Sequence, residues 1–153
     1  MASFFPNPMK SLLALAVLLL PLTPGLRAAD AVSPPPMASG VIHWGKIQLQ
    51  PSPTGARTVV FDAPTVTLDK FHCHVSKLNP GENTGAPHRH PQEELVILKE
   101  GTLEVNIDGK VDTAEAGSMI FYAANELENM RNPGTVPATY YVLQFFTPAT
   151  PKR

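Results

Sequence analysis

The stretch Pro87-His88-Arg89-His90-Pro91-Gln92-Glu93-Glu94 holds more metal-binding chemistry than any other part of this 153-residue chain. In an extended backbone side chains alternate, so His88 and His90 face the same way, about two rises of ~3.3 Å apart, and both imidazoles can meet one ion. Three residues separate His90 from Glu94, room for the chain to turn and bring the carboxylate back to the same pocket. Two neutral nitrogens and a carboxylate make an ordinary donor set for one divalent transition metal (Mn, Fe, Ni or Zn), with positions left open for water or substrate. A His-x-His pair alone is more often two solvated histidines beside a proline-limited loop. The weight of the reading therefore rests on the surroundings.

The surroundings read as β structure. From Val41 onward no helical periodicity is sustained, and short β-prone runs alternate with turn residues in the manner of a sandwich or barrel. Strands are expected near Ile42 to Leu49, Arg57 to Phe61, Thr65 to Leu78, Glu93 to Lys99, Thr102 to Ile107, Lys110 to Ala114, Ser118 to Tyr122, Leu127 to Asn132 and Thr139 to Thr147. Asn79-Pro80-Gly81, Lys99-Glu100-Gly101, Glu115-Ala116-Gly117 and Asn132-Pro133-Gly134 supply turns between them. Asp108-Gly109 is the strongest hairpin signal, because both residue types tolerate the positive φ of a type I′ turn. In the run after His90, Glu94, Val96 and Leu98 share one side while Leu95 and Ile97 share the other. Apolar residues on both sides predict a strand covered on both faces, one of them a candidate contact with a second subunit.

Gly81, His88, His90, Glu94 and Gly101 together resemble the first motif of the cupin superfamily. In that motif a glycine turn leads to His-x-His, three or four residues, Glu, six residues and Gly. Three residues lie between His90 and Glu94 and six between Glu94 and Gly101, while Gly81 sits one residue further from His88 than the commonest spacing. The second motif of the family runs Gly, five residues, Pro-x-Gly, two residues, His, three residues, Asn. Laid on this chain it gives Gly117, Ala123 for the proline, Asn125 for the glycine, Glu128 for the histidine and Asn132; the ends match and the middle departs. The resemblance spans about Lys77 to Phe146. It implies an all-β fold, the double-stranded β-helix or cupin jelly-roll barrel, usually dimeric, with a metal held at one mouth by both motifs.

At the position of Glu128 relatives supply a third imidazole. A glutamate there would make a site of two histidines and two carboxylates, His88, His90, Glu94 and Glu128, and the reading favours ligation over a solvent-facing side chain. Such a set leaves a divalent ion formally neutral, hence a weaker Lewis acid that draws anions less strongly than three histidines and one glutamate would. His72 and His74 share a face in Phe71-His72-Cys73-His74-Val75 and are candidate pocket residues, although burial at a subunit contact or exposure fits them equally. Arg131 could hold a substrate carboxylate or pair with a surface acid. Tyr141 belongs to an aromatic group with Phe121, Tyr122, Tyr140, Phe145 and Phe146, about half of which should face the cavity. Gln92, Glu93 and Gln144 are candidates to orient ligating side chains.

The rest of the chain bounds the function. Met1 to Ala28 has the order of a signal peptide, with a polar start ending in Lys10, the apolar run Leu12 to Leu20, then small residues. Leu26 and Ala28 stand where a cleavage site needs them. The run is shorter than the roughly 20 residues of a membrane span, so cleavage would leave no permanent membrane association. The expected organisation is 1-28 signal peptide, 29-40 flexible linker with Pro34, Pro35 and Pro36, 41-148 barrel domain and 149-153 tail. Removing the leader removes Lys10 and Arg27 and changes 12 basic against 13 acidic residues to 10 against 13. No basic tract grips phosphates, which argues against a nucleic-acid partner. Cys73, the one cysteine, cannot form an intramolecular disulfide and reads as a small buried hydrophobe.

The expectation is thus an exported protein, periplasmic or secreted. It would be a homodimer, with Val41 to Leu49 as a candidate exchanged edge strand. Its site would act on a small oxygenated organic molecule by metal-dependent oxidation, as a dioxygenase, or by isomerisation. A non-catalytic small-molecule or metal-binding module is the alternative, since one barrel family hosts many activities.

Overall fold

In the computed structural model, residues 34–151 and Met1 are described; the expected signal peptide and the start of the linker lie outside the described residues. Nine strands follow a short 3-10 helix at Trp44–Lys46: β1 Gln50–Ser52, β2 Gly55–Ala63, β3 Lys70–Leu78, β4 Glu93–Glu100, β5 Thr102–Ile107, β6 Lys110–Glu115, β7 Met119–Tyr122, β8 Glu128–Arg131 and β9 Ala138–Phe146. They form two sheets, a six-stranded one in the order β1-β2-β3-β9-β4-β7 and a three-stranded one in the order β6-β5-β8, with every pairing antiparallel. This is the two-sheet architecture of a cupin jelly roll. Among the described residues no helix is long and apolar enough to cross a membrane.

Alternation puts the core between the sheets. In β4, Glu94, Val96 and Leu98 are buried while Leu95 and Ile97 are half-buried on the opposite face. Val96 and Leu98 join Leu78, Leu103, Val105, Ile120, Met130 and Val142 in one apolar cluster. The other face of the large sheet is also apolar: Phe71 lies between Phe61 and Phe145, with ring centroids at 4.8 and 5.3 Å, and Met119 and Phe121 are exposed there.

The hairpin residues behave as their chemistry requires, with Asp108 at φ 47° and Gly109 at φ 85°. Asn125, standing where the family pattern has glycine, adopts φ 64°, a conformation asparagine tolerates better than most residues.

Two expected strands are corrected. Ile42 to Leu49 is not a strand but contains the 3-10 helix, and Trp44 packs edge-on against Tyr141 at 5.8 Å with the Lys99 ammonium over its ring. A strand through this stretch would give up that aromatic and cation–π packing. Thr65 to Asp69 also lies outside β3: the Thr65 hydroxyl accepts from the Leu68 N–H at 3.0 Å and the Thr65 N–H donates to the Leu68 carbonyl. That local turn competes with strand pairing, the usual behaviour of a threonine hydroxyl close to backbone donors.

Asn132 ties the barrel across its width. It is fully buried, its Nδ2 donates to the carbonyls of Leu78 at 3.0 Å and Val136 at 2.8 Å, and its Oδ1 accepts from the Gly134 N–H. Gly101 is fixed by crowding as well as by φ 84°, since a Cβ there would stand 2.7 Å from Ala138 Cα. Gly101→Ala is expected to lower the unfolding free energy by about 1–3 kcal/mol, read as a shifted urea midpoint with unchanged slope.

Candidate metal centre

The segment 81–88 has few strand pairings of its own, yet it runs along β8 through a ladder of backbone hydrogen bonds. Gly81 N–H donates to the Asn132 carbonyl, Thr84 N–H to the Met130 carbonyl, and His88 and Glu128 exchange both bonds at 3.0 and 2.9 Å. Directly opposed residues in such a pair send their side chains to the same face. The Asn125 N–H donates to the His90 carbonyl at 2.6 Å, so the turn before β8 also holds His90.

The result is a convergence of ligand atoms. His90 Nε2 lies 3.1 Å and His88 Nε2 3.7 Å from Glu128 Oε1, the two Nε2 atoms are 3.0 Å apart, and the three donors all fall within 4.8 Å of one another. His88 Nδ1 donates to the Ala86 carbonyl at 3.1 Å, so the neutral ring presents a bare Nε2 to the cluster. Glu128 is buried and its Oε2 has no hydrogen-bond partner, a costly position for a carboxylate that a cation would relieve.

Glu94 stands at the edge of this group. Its Oε2 is 3.8 Å from His90 Nε2 and accepts from Gln144 Nε2 at 2.7 Å. Burial, then the Glu128 charge, push its carboxyl up to about 7. Tyr122, paired in register with Glu94, has a buried hydroxyl without a partner. Its phenol is held well above the ordinary value by burial and then by the charges of Glu128 and Glu94. His72, Gln144, Glu94 and Tyr122 thus occupy one row across β3, β9, β4 and β7.

All four expected ligands border a cavity of about 340 Å³ that opens between the sheets, and His74 lines it with them. His72 lies behind His74, with Nε2 3.0 Å from His74 Nδ1 and Nδ1 3.1 Å from Asp62 Oδ1. Three other candidates fall elsewhere. Arg131 projects from the outer side of β8 into a two-point pair with Glu104 at 3.2 and 3.3 Å. Tyr141 faces Trp44 on the outer side of the large sheet. Gln92, though buried, borders a separate cavity with Pro91, Lys70 and Phe146. Cys73 is buried on that outer side, and burial raises its thiol to about 11, away from thiolate chemistry.

Arg57 is a cavity residue that the sequence reading did not single out. It reaches the site because β2 pairs with β3 in the register Arg57↔Ser76, and its Nη2 donates to His74 Nδ1 at 3.1 Å. Its position in an arginine-threonine-valine run carries no local signal; only the register reveals it.

Comparison with known proteins agrees with this architecture. A family model described as "Cupin domain" matches residues 74–144. No curated protein sequence matches the chain. Among solved structures, an RmlC-like cupin from Shewanella frigidimarina aligns at TM-score 0.58 and 15% identity over 73% of this chain and 95% of its own. KdgF from Halomonas sp. aligns at 0.59 and 15% over 76% and 96%. The polyketide cyclase RemF from Streptomyces resistomycificus aligns at 0.58 and 16% over 71% and 80%. At these identities the likeness is one of fold.

Burial, then the neighbouring Arg57 and His72, lower His74 to about 3. The folded protein therefore keeps this ring neutral while an unfolded histidine takes a proton below about 6.5, so the contribution is lost as pH falls from about 6.5 toward 3. The difference in melting temperature between wild type and His74→Gln should accordingly shrink or reverse across that window. A difference constant from pH 7 to pH 4 would contradict it.

Proposed function

The chain belongs to the cupin superfamily, and on that premise we propose that it is a metal-dependent protein that binds and converts a small oxygenated organic molecule in its barrel cavity. The observation that carries this reading is the convergence of His88 Nε2, His90 Nε2 and Glu128 Oε1 at the cavity wall, with the second Glu128 oxygen buried and without a partner. The donor set suits Mn, Fe, Ni or Zn. His88, His90 and Glu128 would hold the ion, Glu94 would complete the set, and Gln144 would orient Glu94. A bound ion supplies Lewis acidity and open coordination positions; oxidation and isomerisation are the reactions this would serve.

The protein's own residues would do the remaining work. Tyr122, its hydroxyl without a partner and its proton firmly held, would donate a hydrogen bond to an oxygen of the bound molecule. Val142, Leu78 and Met130, members of the apolar core, supply the apolar lining of the cavity.

A non-catalytic binding module is the second reading, and the replacement of histidine by Glu128 favours it, since a formally neutral centre polarises a bound oxygen less. Turnover assays on a panel of hydroxylated compounds, with each metal in turn, separate the two. The leader composition supports export to the periplasm or outside the cell. The exposed Met119 and Phe121, on the same sheet as the packed Phe61, Phe71 and Phe145, support a homodimer.

Glu128→Ala and Glu128→Gln should each weaken zinc or manganese binding about tenfold or more by calorimetry, and Glu94→Gln less, with circular dichroism unchanged. Wild-type affinity in both Glu128 variants would remove this residue from the centre. Light scattering at micromolar concentration should give the mass of a dimer, and a monomeric mass would refute that assignment.

A further inference from the structure

Arg57 is oriented by an unusual partner. Among the described residues it forms no ion pair with a carboxylate, and its one side-chain hydrogen bond goes from Nη2 to His74 Nδ1 at 3.1 Å. A guanidinium is always a donor, so His74 Nδ1 must be the acceptor and the ring proton must sit on Nε2. The tautomer is thereby fixed, and the strongly lowered basicity of this buried ring keeps it neutral. Both contacts on His74, from Arg57 and His72, fall on Nδ1, which leaves the Nε2–H edge for the cavity that His74 lines.

Behind this pair the Asp62, His72, His74 chain acts as a brace. Asp62 engages His72 at 3.1 Å and Lys70 at 3.7 Å rather than Arg57, whose exposed side chain feels the Glu94 carboxylate only at a distance. Arg57 therefore offers its remaining N–H donors, in a planar fork suited to a carboxylate, at the rim of the cavity. The charge count points the same way. One basic side chain, Arg57, and two acidic ones, Glu94 and Glu128, line the cavity, so a divalent ion would leave its walls one positive charge in excess. Hydroxyls of Ser52, Thr54, Ser76 and Thr84 line the same space.

We propose that Arg57 and His74 form an anion subsite, taking one carboxylate of a small hydroxylated organic acid whose other end reaches the His88, His90 and Glu128 cluster. This names the substrate class of the site and rests on the metal-dependent reading for that second end only. The Arg57 fork supplies the charge and direction, the His74 Nε2–H supplies a second donor, and His72 with Asp62 holds the imidazole in place. His72 is a positioning residue.

The test is calorimetric titration of zinc-loaded protein with malonate, succinate and glutarate, each against its neutral diamide. At least one dicarboxylate should bind, with its diamide weaker by about tenfold or more, as expected when charge-assisted hydrogen bonds are lost. Arg57→Gln should weaken that dicarboxylate by a similar factor while leaving zinc affinity unchanged, Arg57→Lys should recover part of the loss, and His74→Gln should weaken it severalfold. Equal binding of acid and diamide, unaltered binding by Arg57→Gln, or binding of no dicarboxylate would each overturn the subsite. The metal reading is judged separately by the zinc titration of the unmodified protein. Should zinc fail to bind while the dianion still binds metal-free protein in an Arg57-dependent way, the subsite stands and the metal centre falls.

Discussion

The site depends on a two-bond backbone bridge between His88 and Glu128. Without it the segment after Gly81 would be a loop with histidines on it, and the carboxylate at the start of β8 would be one buried acid among core residues. Antiparallel exchange of both N–H···O bonds fixes which side chains face each other. Once His88 is set opposite Glu128, the period of two brings His90 to the same face. The other contacts of the segment, from Gly81 to Asn132 and from Thr84 to Met130, keep that bridge in register. Asn132, buried at the far end of β8, anchors the same strand to Leu78 and Val136. Fold and site therefore share one element: the short strand Glu128–Arg131 presents a carboxylate of the candidate metal centre at one end and abuts a structural amide at the other.

The same period of two explains most of what the sequence made legible and what it hid. Asp108-Gly109 marked its turn because φ beyond zero restricts the residue type, and the runs in β4, β5 and β9 showed themselves because one face of each had to be apolar. Glu94, Val96 and Leu98 turned inward together as alternation required. Arg131 fails as a pocket residue by that same rule. Three positions from Glu128 on one strand, it must face outward when Glu128 faces inward. Tyr141 likewise alternates with Tyr140 and Val142, which line the cavity. What alternation could not supply was register between strands distant in sequence. The neighbours of Arg57 are set by pairing of β2 with β3, which includes a shift between Val59 and Phe61, and no local pattern encodes that shift. Ile42 to Leu49 departs from the strand expectation for a different reason: it covers the outer sheet face through Trp44 without joining a ladder.

The electrostatics of the cavity follow from burial acting on opposite charges in opposite directions. Desolvation raises the Glu94 carboxyl and lowers the His74 imidazole, so each tends toward its neutral form. The two carboxylates Glu94 and Glu128 also oppose each other beside Tyr122, whose phenol is held protonated by burial and then by both charges. These groups would be poorly matched in a metal-free barrel. Gln144 offsets part of the strain at Glu94, whereas the second oxygen of Glu128 has nothing.

That asymmetry gives physical content to the exchange of histidine for glutamate in the second motif. An imidazole at this position could rest neutral beside Glu94; a carboxylate there is a second buried negative charge, tolerable only where a cation or a proton meets it. A divalent ion would satisfy both carboxylates and both imidazole Nε2 atoms at once, so ion binding and barrel stability would be linked through the same atoms. The substitution also moves the positive charge of the cavity. With three histidines the excess would sit on the ion itself, but with two carboxylates the centre is formally neutral and the excess lies on the rim with Arg57. A ligand entering such a site would be oriented first by the rim and only then by a bound ion. The identity of residue 128 therefore bears on how a ligand is turned as well as on how tightly an ion is held.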